Sequence, residues 1–94
     1  MRKEELIKRT KSFAHRCVKL AIALPKSALG NLIKGQLMRC GTSVAANYRA
    51  ACRGQTKAVF IHKIGIVIEE ADESEFWLEF IIDENLKPKT WWMT

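Results

Sequence analysis

Two histidines, three cysteines and a run of carboxylates are the residues on which catalysis or metal binding in this chain would have to rest. His15 and His62 lie far apart, and neither follows a glutamate by three residues, because Ser12 and Val59 hold those places. The Glu-x-x-His pairs of a di-iron bundle and the HExxH helix of a zinc enzyme are therefore both lacking. Glu69, Glu70, Asp72, Glu73 and Glu75 would work as general acid and base, or as a metal cup, only if they converged. Their spacing spreads them around a helix instead, with Glu69 and Asp72 or Glu73 on one side and Glu70 roughly 100° away. That is the pattern of a solvated or salt-bridged face. Cys52 and His62 would make a nucleophile pair only in a shared pocket. Gly30 and Gly35 have the spacing of a phosphate-binding loop, but Gln36 and Leu37 stand where Lys and Ser or Thr must be, and no strand precedes them. The chain reads as a non-enzyme with no cofactor and no metal; only a cavity into which His62, Asn47 and Cys52 all pointed would revive catalysis.

Charge offers more. The 94 residues carry 16 Lys and Arg against 10 Asp and Glu, a net +6. The balance is +12 over residues 1–63 and −6 over residues 64–94. A basic segment followed by an acidic one suits a surface for polyanions together with a tail that neutralises part of it, within the molecule or between copies; solvated helix faces are the plainer reading. The candidate nucleic-acid-binding residues are Arg39, Arg49, Arg53, Lys57 and Lys63, with Lys8, Lys11, Arg16 and Lys19 in support. Tyr48 either stacks a base or packs inside the fold. No recognition helix, RNP motif or zinc finger is present, so sequence-specific readout is not expected.

Helices must position these side chains. Leu6, Thr10, Phe13, Cys17, Leu20 and Leu24 step by fours and threes until Pro25 stops the run. Ile33, Leu37, Cys40, Val44, Asn47 and Ala51 repeat the pattern and close near Gly54; Gly35 and Gly41 weaken that helix locally. Thr56 is a plausible cap for the third run, Phe60, Ile64, Val67, Ala71, Ser74, Leu78 and Ile81, which Pro88 ends. The spacing predicts an all-α, antiparallel up-and-down helical bundle in one domain, with helices over about 3–24, 28–53 and 56–86 and a tail over 87–94. Ile61, Ile68 and Ile82 recur at multiples of seven, and with Trp77 and Phe80 they make the third helix too apolar for two neighbours to cover. A contact between subunits along it is expected.

The short Gly-Gln-Thr connection sets the second hairpin so that facing residues have numbers summing to about 109. Arg39 then falls near Glu70, Gln36 near Glu73, Ser43 near Ile66 and Asn47 near His62. Ser43, Asn47, Glu70 and Glu73 are read as structural polar residues that fix register, Asn47 as a device for oligomer number rather than a ligand site. Cys17, Cys40 and Cys52 are odd in number and form no Cys-x-x-Cys pair, which fits core side chains without a disulfide in a reducing cytoplasm. The chain has neither the start of a signal peptide nor 18 uncharged apolar residues in a row, so secretion and a membrane partner are not expected.

QLMRCGTSVAANYRAACRGQTKAVFIHKIGIVIEEADESEFWLEFI, from Gln36 to Ile81, resembles the four-helix bundle proteins related to the 23S rRNA intervening-sequence protein. The likeness is close through SVAANYR, KAVFIHKIGIV and EEADESEFWLE, and looser through the first helix. It implies a small cytoplasmic bacterial protein that forms a homopentameric ring of helical bundles. The accessory protein of diversity-generating retroelements, which binds a reverse transcriptase and nucleic acid, looks similar. Two features depart from the family: Ala50 stands where Glu often follows Asn-Tyr-Arg, and KPKTWWMT has neither the period nor the length of the fourth helix. Trp91 and Trp92 either plug the space that helix leaves or form an unstructured end. The function expected is a self-assembling bundle, five-fold by family likeness, that binds RNA or an RNA-handling partner through its basic surface. The rivals are an oligomeric adaptor for a protein such as a reverse transcriptase and a truncated remnant without activity.

Overall fold

A computed structural model describes residues 2–88, so Trp91 and Trp92 lie outside the described residues. Three helices follow one another, α1 (Lys3–Ala23), α2 (Ala28–Cys52) and α3 (Lys57–Asp83). They form the all-α, antiparallel up-and-down bundle that the periodicity predicts.

Local chemistry sets each boundary. Glu4 and Glu5 stand in the first turn of α1, where the exposed N–H groups favour negative charge. Leu24 takes the extended backbone (ψ 149°) that a residue before proline adopts, and α1 ends. Ser27 Oγ then accepts from Gly30 N at 2.9 Å, capping α2. Gly30 is needed at this corner, since a Cβ there would stand 2.0 Å from the Pro25 carbonyl oxygen. Thr56 Oγ1 caps α3 by accepting from Val59 N at 3.1 Å.

Two ends differ from the sequence reading. α2 closes at Cys52 through Arg53 (φ −99°, ψ 1°), and Gly54 does not adopt a left-handed conformation. α3 stops at Asp83 rather than near 86, because Asn85 (φ 54°) turns left-handed. Asn85 N then bonds Ile82 O and Leu86 N bonds Ile81 O, both at 3.0 Å, satisfying the last carbonyls ahead of Pro88.

α2 is the central helix, packed along its length by α1 and α3, which barely touch each other. Cys17, Ala21, Leu24, Ile33, Leu37 and Ile81 form the core, and Ile33 and Leu37 are wholly buried. Each such aliphatic side chain contributes about 1.5–3 kcal/mol. α1 is rotated from the predicted stripe: Ala14 and Ala21 are buried while Phe13 and Leu20 are only half-buried. Gly41 faces Cys17 on this side of α1. A Cβ on it would lie 2.6 Å from Cys17 Cβ, so the glycine read as a weak point in the helix is the site of close approach between α1 and α2.

α3 buries only Ser74 and Ile81 fully, whereas Phe60, Ile61, Ile68, Phe76 and Ile82 are exposed. An open apolar groove of about 530 Å³ separates the C-terminal parts of α1 and α3; Leu20, Leu78, Ile81, Ile82 and Leu86 line it. Among the described residues no helix is long and apolar enough to cross a membrane.

Candidate nucleic-acid interface

Antiparallel packing brings the start of α1, the end of α2 and the start of α3 to one end of the bundle. Lys3 Nζ, donating to the Cys52 carbonyl at 3.4 Å, spans α1 and α2 there. Arg2, Lys3 and Lys8 share this end with Arg49 and Arg53 from α2 and Lys57 and Lys63 from α3, and with the acids Glu4 and Glu5. Arg49, Arg53 and Lys57 are exposed and Lys63 is half-buried. Lys11, Arg16 and Lys19 carry exposed positive charge further along α1. The acidic residues of α3 lie toward the other end, so the charge asymmetry of the sequence becomes an asymmetry in space.

Tyr48 belongs to this end and is half-buried. Burial above all, with Cys52 beside it and Glu4 nearby, raises its phenol above the ordinary value. Cys52 is the partner that sequence reasoning missed, although its spacing of four from Tyr48 was available as a signal.

Arg39 stands apart from Arg49, Arg53, Lys57 and Lys63. It is ten residues before Arg49 on α2, about 15 Å along the axis. Arg39 Nη1 lies 3.0 Å from Glu70 Oε2, and Nη2 donates both to Glu73 Oε2 and to Gln36 Oε1, the latter at 3.1 Å. Trp77 Nε1 donates to the same Glu73 oxygen at 3.2 Å. Arg39 holds the Glu73 carboxyl below its ordinary value, with help from Trp77. Trp77 also meets Phe76 and Phe80, with ring centroids 4.9 and 5.9 Å away.

Asn47 makes its hydrogen bonds within α2, donating to Ser43 O at 3.0 Å and Ser43 Oγ at 2.8 Å. Its amide is thereby satisfied without His62, which is exposed on α3. The buried polar link between α2 and α3 is Ser74, whose hydroxyl contacts Cys40 Sγ at 3.2 Å and donates to Glu70 O at 2.8 Å. Its place among apolar residues of the third stripe was the signal for a polar contact at this seam.

The side chains considered for catalysis do not gather. His15 and His62 are exposed on different helices. Cys17 and Cys40 are buried free thiols, and burial, with Cys40 adding to it, pushes the Cys17 thiol up to about 11, which keeps it protonated at neutral pH. Among the described residues no group of three or more His, Cys, Asp or Glu is placed to hold a metal ion. The apolar groove contains none of His62, Asn47 and Cys52 in its lining. What this geometry can do chemically is present exposed positive charge at the end of the bundle that also holds Tyr48.

No curated protein matches the chain. A solved structure does: the 1.70 Å crystal structure of a protein with unknown function from the S23 ribosomal protein family of Bacteroides thetaiotaomicron VPI-5482. It is 36% identical, with a TM-score of 0.81 over 89% of this chain and 75% of that one. The three-helix path with its central α2 is thus shared with a crystallographically determined relative. The sequence also matches the description 23S rRNA-intervening sequence protein over residues 2–92, which takes in all three helices and both connections. On that match, this chain belongs to the 23S rRNA-intervening sequence protein family.

Proposed function

We propose that the chain is a non-catalytic, self-associating helical protein of the cytoplasm that binds RNA through its basic end. The observation carrying this reading is the convergence of Arg49, Arg53, Lys57 and Lys63 with Lys3 and Lys8 where three helix ends meet. Phosphate contacts of this kind supply affinity without sequence preference, and Tyr48 adds a ring on which an unpaired base stacks. Arg39 is outside this set, being held by two carboxylates. Copies joined through the exposed face of α3 would present several such ends at once and multiply a weak single contact.

Mobility shifts with single-stranded RNA across a salt series test the reading. Binding should weaken steeply with salt, and Arg49→Glu with Arg53→Glu should lower the salt slope by about two, the number of phosphate contacts removed. Reversing Lys26 and Lys34 at the opposite end should leave the slope unchanged. Binding that is absent or insensitive to salt refutes the proposal.

A second reading, an adaptor for a protein such as a reverse transcriptase, is favoured by the Phe76, Trp77 and Phe80 cluster, in which Phe76 is 51% exposed. Aromatic surface of this kind is typical of protein contacts. Loss of partner capture on Phe76→Ala with RNA binding intact would select it.

A further inference from the structure

Phe76 stands half-exposed on α3, and each residue one or two turns from it on the same side is an acid or another ring. Glu73 and Glu79 lie three residues away, Asp72 and Phe80 four, and Glu69 and Asp83 seven. The rings are held in place. Trp77 Nε1 donates to Glu73, which Arg39 holds in turn, and the Phe76 and Trp77 planes meet edge-on at 79°. Phe80 closes the cluster with its centroid 5.8 Å from that of Phe76. Rings fixed beforehand lose little freedom when something covers them.

α2 extends this patch. Leu32 is 51% exposed and stands seven residues before Arg39, on the same side of α2. Because α2 and α3 are antiparallel and Arg39 pairs with Glu70, Leu32 is at the height of Trp77, seven residues after Glu70. None of Leu32, Phe76, Trp77 and Phe80 lines the groove between α1 and α3, so the patch is a separate surface. Its charge is of one sign. Glu69, Asp72, Glu79 and Asp83 are exposed and have no ion-pair partner among the described residues, Arg39 being taken by Glu70 and Glu73. No Lys or Arg stands between Lys63 and Lys87. Carboxylates alone are a solvated face, but exposed rings among them are the makings of a contact. A polyanion is repelled there, whereas a Lys or Arg side chain lays its apolar stem on a ring and its head on a carboxylate.

We propose that this patch docks a basic amphipathic segment of another protein, its apolar side chains against Leu32, Phe76, Trp77 and Phe80 and its Lys or Arg side chains on Asp72, Glu79 and Asp83. The proposal rests on the adaptor reading above and supplies the chemistry of the partner. The basic helix of this chain, α1, exposes one large apolar side chain among the described residues, Ile22, which is too little to cover three rings. RNA at the basic end and a cationic segment here call on opposite charges in different parts of the bundle, so neither displaces the other.

Fluorescence anisotropy of a labelled synthetic helix, leucine on one face and lysine on the other, tests this on the full chain, with circular dichroism confirming that each variant is folded. The lysine helix should bind, and less tightly as salt is added. Phe76→Ala, which leaves every charge in place, should raise its dissociation constant at least about tenfold. Asp72→Lys with Glu79→Lys should do the same and turn the preference toward a helix carrying glutamate in place of lysine. Arg49→Gln with Arg53→Gln should leave lysine-helix binding nearly unchanged. No binding of the lysine helix, equal binding of the glutamate helix, or indifference to Phe76→Ala overturns the proposal. So does a free chain whose sedimentation mass falls on Phe76→Ala, since a second copy would then be the occupant. A glutamine helix bound as tightly as the lysine one, and lost on Phe76→Ala, removes the cationic partner but leaves the adaptor reading standing. If no helix responds to Phe76→Ala, both fall.

Discussion

Against α1, the central helix presents Gly41, and the backbones approach until a Cβ on that residue would stand 2.6 Å from Cys17 Cβ. Against α3 it presents Arg39 and Cys40, whose partners are Glu70, Glu73 and Ser74. The first seam is closed by small buried side chains, Ala14, Cys17 and Ala21. The second has a buried hydroxyl at its centre and a solvent-facing ion cluster beside it, the Arg39 side chain being 49% exposed. A close-packed apolar seam is sensitive to volume, because interiors have no spare space. A seam held by exposed charge is sensitive to sign, and only weakly, because water competes for both partners.

The largest effect should come from the floor of the core, which serves both seams. Leu37→Ala should lower the unfolding free energy by about 2–5 kcal/mol in urea titration, since Leu37 is wholly buried. Next, Gly41→Ala should cost about 1–3 kcal/mol by the same measurement, the new methyl meeting Cys17. Gly35→Ala is the contrast, with nothing within 4 Å of the added Cβ, and should gain about 0.4–1 kcal/mol. Equal effects at the two glycines would break the distinction between tight and open faces of α2.

On the polar seam, Glu70→Arg should cost about 0–1 kcal/mol, and Arg39→Glu in the same chain should recover part of it in a double-mutant cycle. The smallest effect is that of acid. Glu73 has its carboxyl lowered by Arg39, so its contribution is present above the ordinary carboxylate value and lost as pH falls through the lowered one. The thermal midpoint of the unaltered chain should therefore drop more on acidification than that of Glu73→Gln, and parallel curves would show the pair to be idle.

Much of the fold was legible along the chain. The three-and-four spacing of apolar residues, Pro25 after the first run, and Ser27 and Thr56 ahead of the next two dictate helices and breaks, because these signals act within a turn or two of backbone. The facing of Arg39 and Glu70 followed from the length of the connection between α2 and α3. The role of Gly41 did not follow, since its low helix propensity is a local property and its contact with Cys17 is not. Nor did the burial of Ala14 and Ala21 in preference to Phe13 and Leu20, which is decided by how α1 lies on α2.

The candidate site divides in the same way. Sequence alone determined that the first two thirds of the chain are basic and the remainder acidic, because charge is carried by residue type. Which helix end each cation occupies was decided only by tertiary structure: packing brings Lys3 to the Cys52 carbonyl, 49 residues away, and leaves Arg39 with two acids. The apolar groove between α1 and α3, lined by Leu20, Leu78, Ile81, Ile82 and Leu86, likewise arises from where three helices come to rest. The physical reason is one of range: helix periodicity and capping are set by neighbours within a few residues, whereas the company a side chain keeps across helices depends on contacts that exist only once the chain has folded.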